Sequence, residues 1–298
     1  MTRHPVFEHF EPWSGKVEAG WTVNFLGVAT RQEFFAGMTG VVPSESGWVE
    51  TEHPAYNEEY LEWIDVLEAV AGADGTFTMI ELGAGWGRWL MNGAAAARAH
   101  GRLRLQLVGV EAEPTHFRWM QQHFADNLVE DQTLTLIEAA VAAEEGRVRF
   151  QIGDASAWYG QQIVVSTPHA SARATARSRI RTLLRRRAHA EPASAATANV
   201  RAVTLTSILD RLECVDLIDL DVQGIEADVL ESTERALAKV KRVHIGTHSA
   251  DNEQRLRALF DGLGWENLND YACGAEAETP WGPITFEDGV QTWVNPAP

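Results

Sequence analysis

The 298-residue chain has only two cysteines, Cys214 and Cys273, far apart and in no CxxC pair. That argues against a disulfide framework and against a cysteine zinc site, and it fits a reducing, cytoplasmic compartment. No apolar run approaches the roughly 18 residues that a membrane helix needs, so no membrane span is expected. The opening residues, Met1-Thr2-Arg3-His4-Pro5-Val6-Phe7-Glu8, lack the apolar core of a secretory signal. Basic residues are scarce: 25 Lys and Arg stand against 42 Asp and Glu, for a net charge of −17. A field of that sign repels phosphate and speaks against nucleic acid or anionic membrane as a general partner.

Aromatic residues are plentiful, with eleven tryptophans. Residues 1–55 carry many of the rings (Trp13, Trp21, Phe25, Phe34, Phe35, Trp48) but no sustained periodicity. Disordered segments are poor in aromatics, so this stretch reads as an N-terminal extension packed on the main domain, covering an edge or walling a pocket. Beyond it the pattern alternates. A helix over 54–71 with Asn57 as N-cap precedes strands at 76–81, 103–111, 133–141 and 148–152, with helices at 88–99 and 114–127. A strand leads into a helix over 200–212, and a strand follows at 215–222. Next come a helix at 226–238, a strand at 240–246 and a helix at 252–263. Glu287-Asp288-Gly289 is expected to be a hairpin turn before a last strand at 290–294. The βαβ order predicts an α/β fold: a mainly parallel, doubly wound sheet with a C-terminal antiparallel strand and helices on both faces.

The most informative stretch is Met79-Ile80-Glu81-Leu82-Gly83-Ala84-Gly85-Trp86-Gly87-Arg88. An apolar strand ends in an acid, three glycines follow at alternate positions, and a helix begins. Such a turn offers free backbone N–H groups and lets a ligand approach closely. A dinucleotide fingerprint needs G-x-G-x-x-G, and Arg88 occupies the place of its last glycine. Glu81 repels a phosphate but attracts a cation. S-adenosylmethionine, with an ammonium and a sulfonium, meets that requirement. In this reading Gly83, Ala84, Gly85 and Gly87 give close backbone approach, and Glu81 holds the methionine ammonium directly or through water. Glu111, at the end of the next strand beside Ala112, takes the two ribose hydroxyls. Ala139 borders the adenine, and Asp219 lies across the crevice near the methionine end.

Together with the glycine turn, the runs Val108-Gly109-Val110-Glu111-Ala112-Glu113-Pro114, Glu138-Ala139-Ala140-Val141, Val203-Thr204-Leu205 and Asp219-Leu220-Asp221-Val222-Gln223-Gly224-Ile225-Glu226 resemble the FkbM family of S-adenosylmethionine-dependent methyltransferases. Two positions depart from the family pattern: Asp219 stands where Lys is common, and Gln223 where Glu is common. The resemblance implies a Rossmann-like methyltransferase domain, here residues 56–298, with an insertion at about 160–200. It also implies methylation of a hydroxyl on a sugar, glycan or secondary metabolite. A hydroxyl acceptor calls for a base. His248, just after a strand, is the first candidate and Asp221 the second. Asp219, Asp221, Glu226 and His248 match no familiar ligand spacing, so no metal is expected.

The insertion holds Arg173, Arg177, Arg179, Arg181, Arg185, Arg186 and Arg187, with no acid between residues 171 and 190. It reads either as a solvated surface segment or as a lid or handle for an anionic partner. Two other function classes stay in view, a nucleic-acid methyltransferase and a non-catalytic cofactor-binding scaffold. The first lacks the Asn/Asp-Pro-Pro-aromatic turn of base-amino methylation and carries the wrong net charge.

Overall fold

The computed structural model describes residues 3–36, 45–101, 103–129, 133–152, 163 and 196–297. The arginine-rich residues 171–190 lie outside them.

In the N-terminal segment β1 (Ser14–Val17), β2 (Trp21–Val23), β3 (Ala29–Arg31) and β4 (Gly47–Glu50) form two small antiparallel pairs, β1 with β4 and β2 with β3. Two of its aromatic residues are buried against the first helix, α1 (Glu59–Ala71): Phe7 stacks on Tyr60 at 5.1 Å, and Phe25 meets Trp63 edge-on at 4.9 Å, while Phe34 packs on Trp119 and Trp48 is exposed. Asn57 does not cap α1. The helix starts two residues later, and Asn57 contributes its carbonyl to the Tyr60 N–H.

Next come β5 (Thr76–Leu82), α2 (Arg88–His100), β6 (Arg104–Glu111), α3 (Pro114–Asp126) and β7 (Leu134–Glu138). The expected single strand over 133–141 is two strands. After Glu138 the chain leaves the sheet, Ala139 N–H bonds the Glu111 carbonyl, and β8 (Ala140–Val141) joins β10 (Ala196–Val203) and β9 (Gly146–Ile152) in a separate three-stranded sheet. α4 (Leu205–Leu209), β11 (Leu217–Leu220) and α5 (Glu226–Glu231) follow. α5 is shorter than the expected helix over 226–238. The Ser232 and Thr233 hydroxyls donate to the Val229 carbonyl, and the chain tightens into a 3-10 turn at Glu234–Lys239.

The last elements are β12 (Arg242–Thr247), α6 (Ala250–Leu263), β13 (Glu266–Tyr271), β14 (Glu276–Thr279), β15 (Gly282–Thr285) and β16 (Gly289–Val294). The C-terminal hairpin is β14–β15, closed by Thr279 Oγ1, which accepts from Trp281 N–H and donates to the Gly282 carbonyl. Glu287-Asp288-Gly289 instead delivers β16 into the main sheet, antiparallel to both β12 and β13.

The main sheet has seven strands in the order β13-β16-β12-β11-β5-β6-β7, parallel from β12 to β7. Alternation assigns its faces. Phe77, Met79, Leu107 and Leu217 pack with α1, α2 and α3, while Ile80, Leu82, Ile218, Leu220, Val243 and Ile245 pack with α4, α5 and α6. Chain order reverses between β5 and β11, where open α/β sheets bind ligands at the strands' carboxyl ends.

At that junction the backbone approach leaves no room for a side chain. Gly83 has φ +80°, and a Cβ there would sit 1.8 Å from the Asp221 carbonyl oxygen. Gly83→Ala should therefore destabilise the protein by more than about 2 kcal/mol, checked by denaturant midpoint. A loss below 0.5 kcal/mol would contradict this packing.

Candidate active site

A cleft opens at the reversal point, lined by Gly83 and Gly85 after β5, Glu111 and Ala112 after β6, and Asp221 and Gln223 after β11. Its far wall is Ala139, Ala140, Val141 and Phe150, largely from the small sheet. Among the described lining residues there is no Lys or Arg.

The glycine turn is latched to β6 by the Gly83 and Ala84 N–H groups on the Val110 carbonyl. Gly87, in the left-handed region, leads into α2, and its Cα packs against Met120 and Phe124 of α3. Glu111 is buried in the cleft floor. Its Oε2 accepts from Gly85 N–H at 2.7 Å and its Oε1 from Glu113 N–H at 2.6 Å. Burial pushes its pKa up to about 7, against the opposing pull of those hydrogen bonds.

Glu81 sits beneath the turn, not in the cleft lining. Its carboxylate accepts from the Trp89 and Leu90 N–H groups at the start of α2, at 3.3 and 2.8 Å, as the helix dipole favours. Asp219 also lies below the cleft. Cross-strand register places Glu81, Asp219, His244 and Thr292 in one polar row across β5, β11, β12 and β16. α1 covers this row with Glu62 and Asp65. Asp65 bonds His244 Nδ1 at 2.7 Å as well as Arg242 and Thr292. Glu62, Asp219 and His244 bring one ligand-type atom each within 4.8 Å of one another.

Burial pushes both carboxyls, Glu62 and Asp219, upward, Asp219 to about 6; the Asp219 charge and hydrogen bond raise Glu62 further, while the same hydrogen bond and the His244 charge pull Asp219 back down. A carboxyl raised on folding adds stability that is fully present below its unfolded pKa and is lost as pH rises through the folded one. Asp219→Asn should therefore raise stability at pH 8 by on the order of 1 kcal/mol, or about 2–4 °C in Tm, with the gain fading toward pH 4. Thermal melts across pH check it, and a gain independent of pH would contradict the raised Asp219 carboxyl.

His248 follows β12 at the cleft edge. Its Nδ1 lies 2.8 Å from Glu226 Oε1, and its Nε2 lies 3.4 Å from Asp221 Oδ1 and 3.8 Å from Asp288 Oδ1. Burial opposes its charged form, but the Glu226 hydrogen bond and the charges of Asp221, Glu226 and Asp288 prevail and push its pKa up to about 9.

The structure thus gathers Gly83, Gly85, Glu111, Ala112, Ala139 and Asp221 around one cleft, with His248 beside Asp221, while Glu81 and Asp219 lie in the layer beneath. Glu226 and Asp288 at His248, and Glu62 at Asp219, were not legible as partners from spacing. The one available signal was alternation: Asp219 and His244 each sit between apolar residues that face the opposite side of the sheet.

The family model of the methyltransferase FkbM domain matches residues 87–266. A protein of Jannaschia sp. (strain CCS1), named "Putative methyltransferase", is 28% identical over 261 residues, 86% of each chain. The crystal structure of methyltransferase FkbM from Methylobacillus flagellatus KT aligns at 9% identity and TM-score 0.45, over 81% of this chain and 56% of that one. Precorrin-6y C5,15-methyltransferase from Geobacter metallireducens GS-15 aligns at 8% identity and TM-score 0.42, over 79% and 87%. With more than half of its length matched by the family model and its cleft at the reversal of a Rossmann-like sheet, the chain belongs to the FkbM methyltransferase family.

Proposed function

We propose that this methyltransferase uses S-adenosylmethionine and methylates a hydroxyl of a sugar, glycan or other small metabolite. The observation that carries the cofactor reading is Glu111. A buried carboxylate faces the cleft beside a turn where Gly83 and Gly87 leave no room for a Cβ, and among the described residues no Lys or Arg lines the cleft to receive a phosphate. Gly83, Ala84, Gly85 and Gly87 form the cradle. Glu111 takes the ribose hydroxyls, Ala112 and Ala139 border the adenine, and Phe150 and Val141 give it an apolar wall. Asp221 is the carboxylate open to the cleft at the cationic end. Glu81 and Asp219 act on that end from beneath, through the geometry of the turn and of the strand ends that carry it. Bound there, S-adenosylmethionine supplies a methyl group activated on a sulfonium.

The chain's own contribution is to position the acceptor and take its proton. We assign proton removal to His248, with Asp221 beside it. At neutral pH the raised pKa keeps most of His248 charged, so turnover is expected to rise with pH toward about 9. No helix among the described residues is long and apolar enough to cross a membrane. Residues 1–55 are read as the covering segment, and the arginines at 173–187 as a handle for an anionic acceptor or partner. The test is incubation with S-adenosylmethionine and a panel of hydroxyl compounds. The reading expects a one-methyl mass gain on oxygen. Transfer to nitrogen or carbon only would overturn the O-methyl assignment.

A further inference from the structure

Glu226 is wholly buried, yet it opens α5 immediately after the Gln223–Gly224 turn that edges the cleft. A buried carboxylate is costly unless donors surround it. Three do here. Gly224 N–H donates to Oε1 at 2.6 Å, His248 Nδ1 lies 2.8 Å from the same oxygen, and Asn252 Nδ2 donates to Oε2. An ionised carboxylate only accepts, so the Nδ1 proton of His248 is committed to Glu226. Nε2 is then the nitrogen available for chemistry. It is buried and has no hydrogen-bond partner among the described residues. It points toward Asp221, whose side chain is 57% exposed and lines the cleft.

We propose that Glu226 is a positioning residue for methyl transfer: it fixes His248 in the Nδ1–H tautomer and so aims the Nε2 lone pair at the cleft edge, where the acceptor hydroxyl loses its proton. The inference rests on His248 being the base. As the acceptor O–H bond breaks, its electron pair stays on oxygen and the proton forms an N–H bond at Nε2. The resulting imidazolium is flanked by Glu226 on one side and by Asp221 and Asp288 on the other, and the proton leaves to solvent past exposed Asp221. Asn252 anchors the second Glu226 oxygen, which keeps the carboxylate in register with the ring.

Among the described residues every charged group that faces His248 is acidic: Glu226 from α5, Asp221 from the end of β11, and Asp288 from the turn before β16. The deciding measurement is 15N NMR of the His248 ring in the full chain, assigned by comparison with His248→Asn. In the wild type above pH 9 the neutral ring should carry its proton on Nδ1. An Nε2–H ring would overturn the proposal without any mutation of Glu226. In Glu226→Gln the His248 titration midpoint should fall by at least one pH unit, and the alkaline rise of kcat/KM should move with it. kcat should fall about 100-fold, with Glu226→Asp recovering part of the loss. A folded Glu226→Gln protein with an unmoved titration would also overturn it. If His248→Asn keeps full turnover, the base assignment fails instead, while the tautomer result still reports on Glu226.

Discussion

Glu111→Ala should weaken S-adenosylmethionine binding by about 100-fold. The carboxylate is already oriented by the Gly85 and Glu113 N–H groups, one on each oxygen, with the Ala112 N–H adding to their pull, and a carboxylate with about four acceptor sites keeps capacity to accept from the cleft. Hydrogen bonds to a charged acceptor are worth roughly 1.5–3 kcal/mol each, and losing two imperfectly additive ones removes about 3 kcal/mol. Calorimetry on the wild type and the variant reads this directly, with melts confirming that the variant is folded. The pH dependence adds an independent signature. Burial holds the Glu111 carboxyl up to about 7 in the free protein, and its ionised form is the better acceptor. Affinity should therefore rise as pH climbs through 7 in the wild type and stay flat in Glu111→Ala. Equal affinities in the two proteins would place the ribose elsewhere.

His248→Asn should lower kcat by about 100- to 1,000-fold while changing cofactor affinity by less than about twofold. Asparagine keeps a polar group against Glu226 but cannot take a proton at neutral pH, so the loss isolates general-base catalysis, which typically contributes 10²–10⁴-fold. The pH profile separates the two carriers proposed for the proton. With His248 as base, log kcat/KM rises through about 9 in the wild type, and that limb vanishes in the variant. If Asp221 carries the proton alone, His248→Asn retains most of its rate and Asp221→Asn loses it. The assay uses the acceptor identified from the hydroxyl panel.

The fold was legible because two patterns coincide. β5 and β11 carry apolar residues on both faces and β12 on one, and the helices between them have single apolar stripes, so a covered parallel sheet satisfies both. The glycine turn and Glu111 were legible for a local reason: the residues that shape the cleft here stand next to the strand ends that position them. Errors arose where distant contacts decided the outcome. The run at 133–141 has uniform strand propensity, but Ala139 is drawn away by the Glu111 carbonyl and Ala140 by β10, a strand that begins 56 residues later. Glu287-Asp288-Gly289 has hairpin chemistry, yet β16 finds two partners already in the sheet. The pairing of Glu226 with His248 depends on α5 packing against the start of α6, and the Glu62–Asp219 pair on where α1 crosses the sheet. Neither crossing is written in residue spacing. Of the two acids read from sequence as cofactor partners beside Glu111, Glu81 serves the α2 N-terminus and Asp219 the buried polar row. A carboxylate at a strand end has two faces to choose from, and sequence alone does not choose between them.

The most direct test is titration of the intact 298-residue protein with S-adenosylmethionine by calorimetry at pH 8. Saturable one-to-one binding, with a Kd within about 1 µM to 1 mM, is expected, together with its loss in Glu111→Ala. Absence of saturable heat for the folded wild type up to millimolar ligand would contradict the assignment of this cleft to that cofactor.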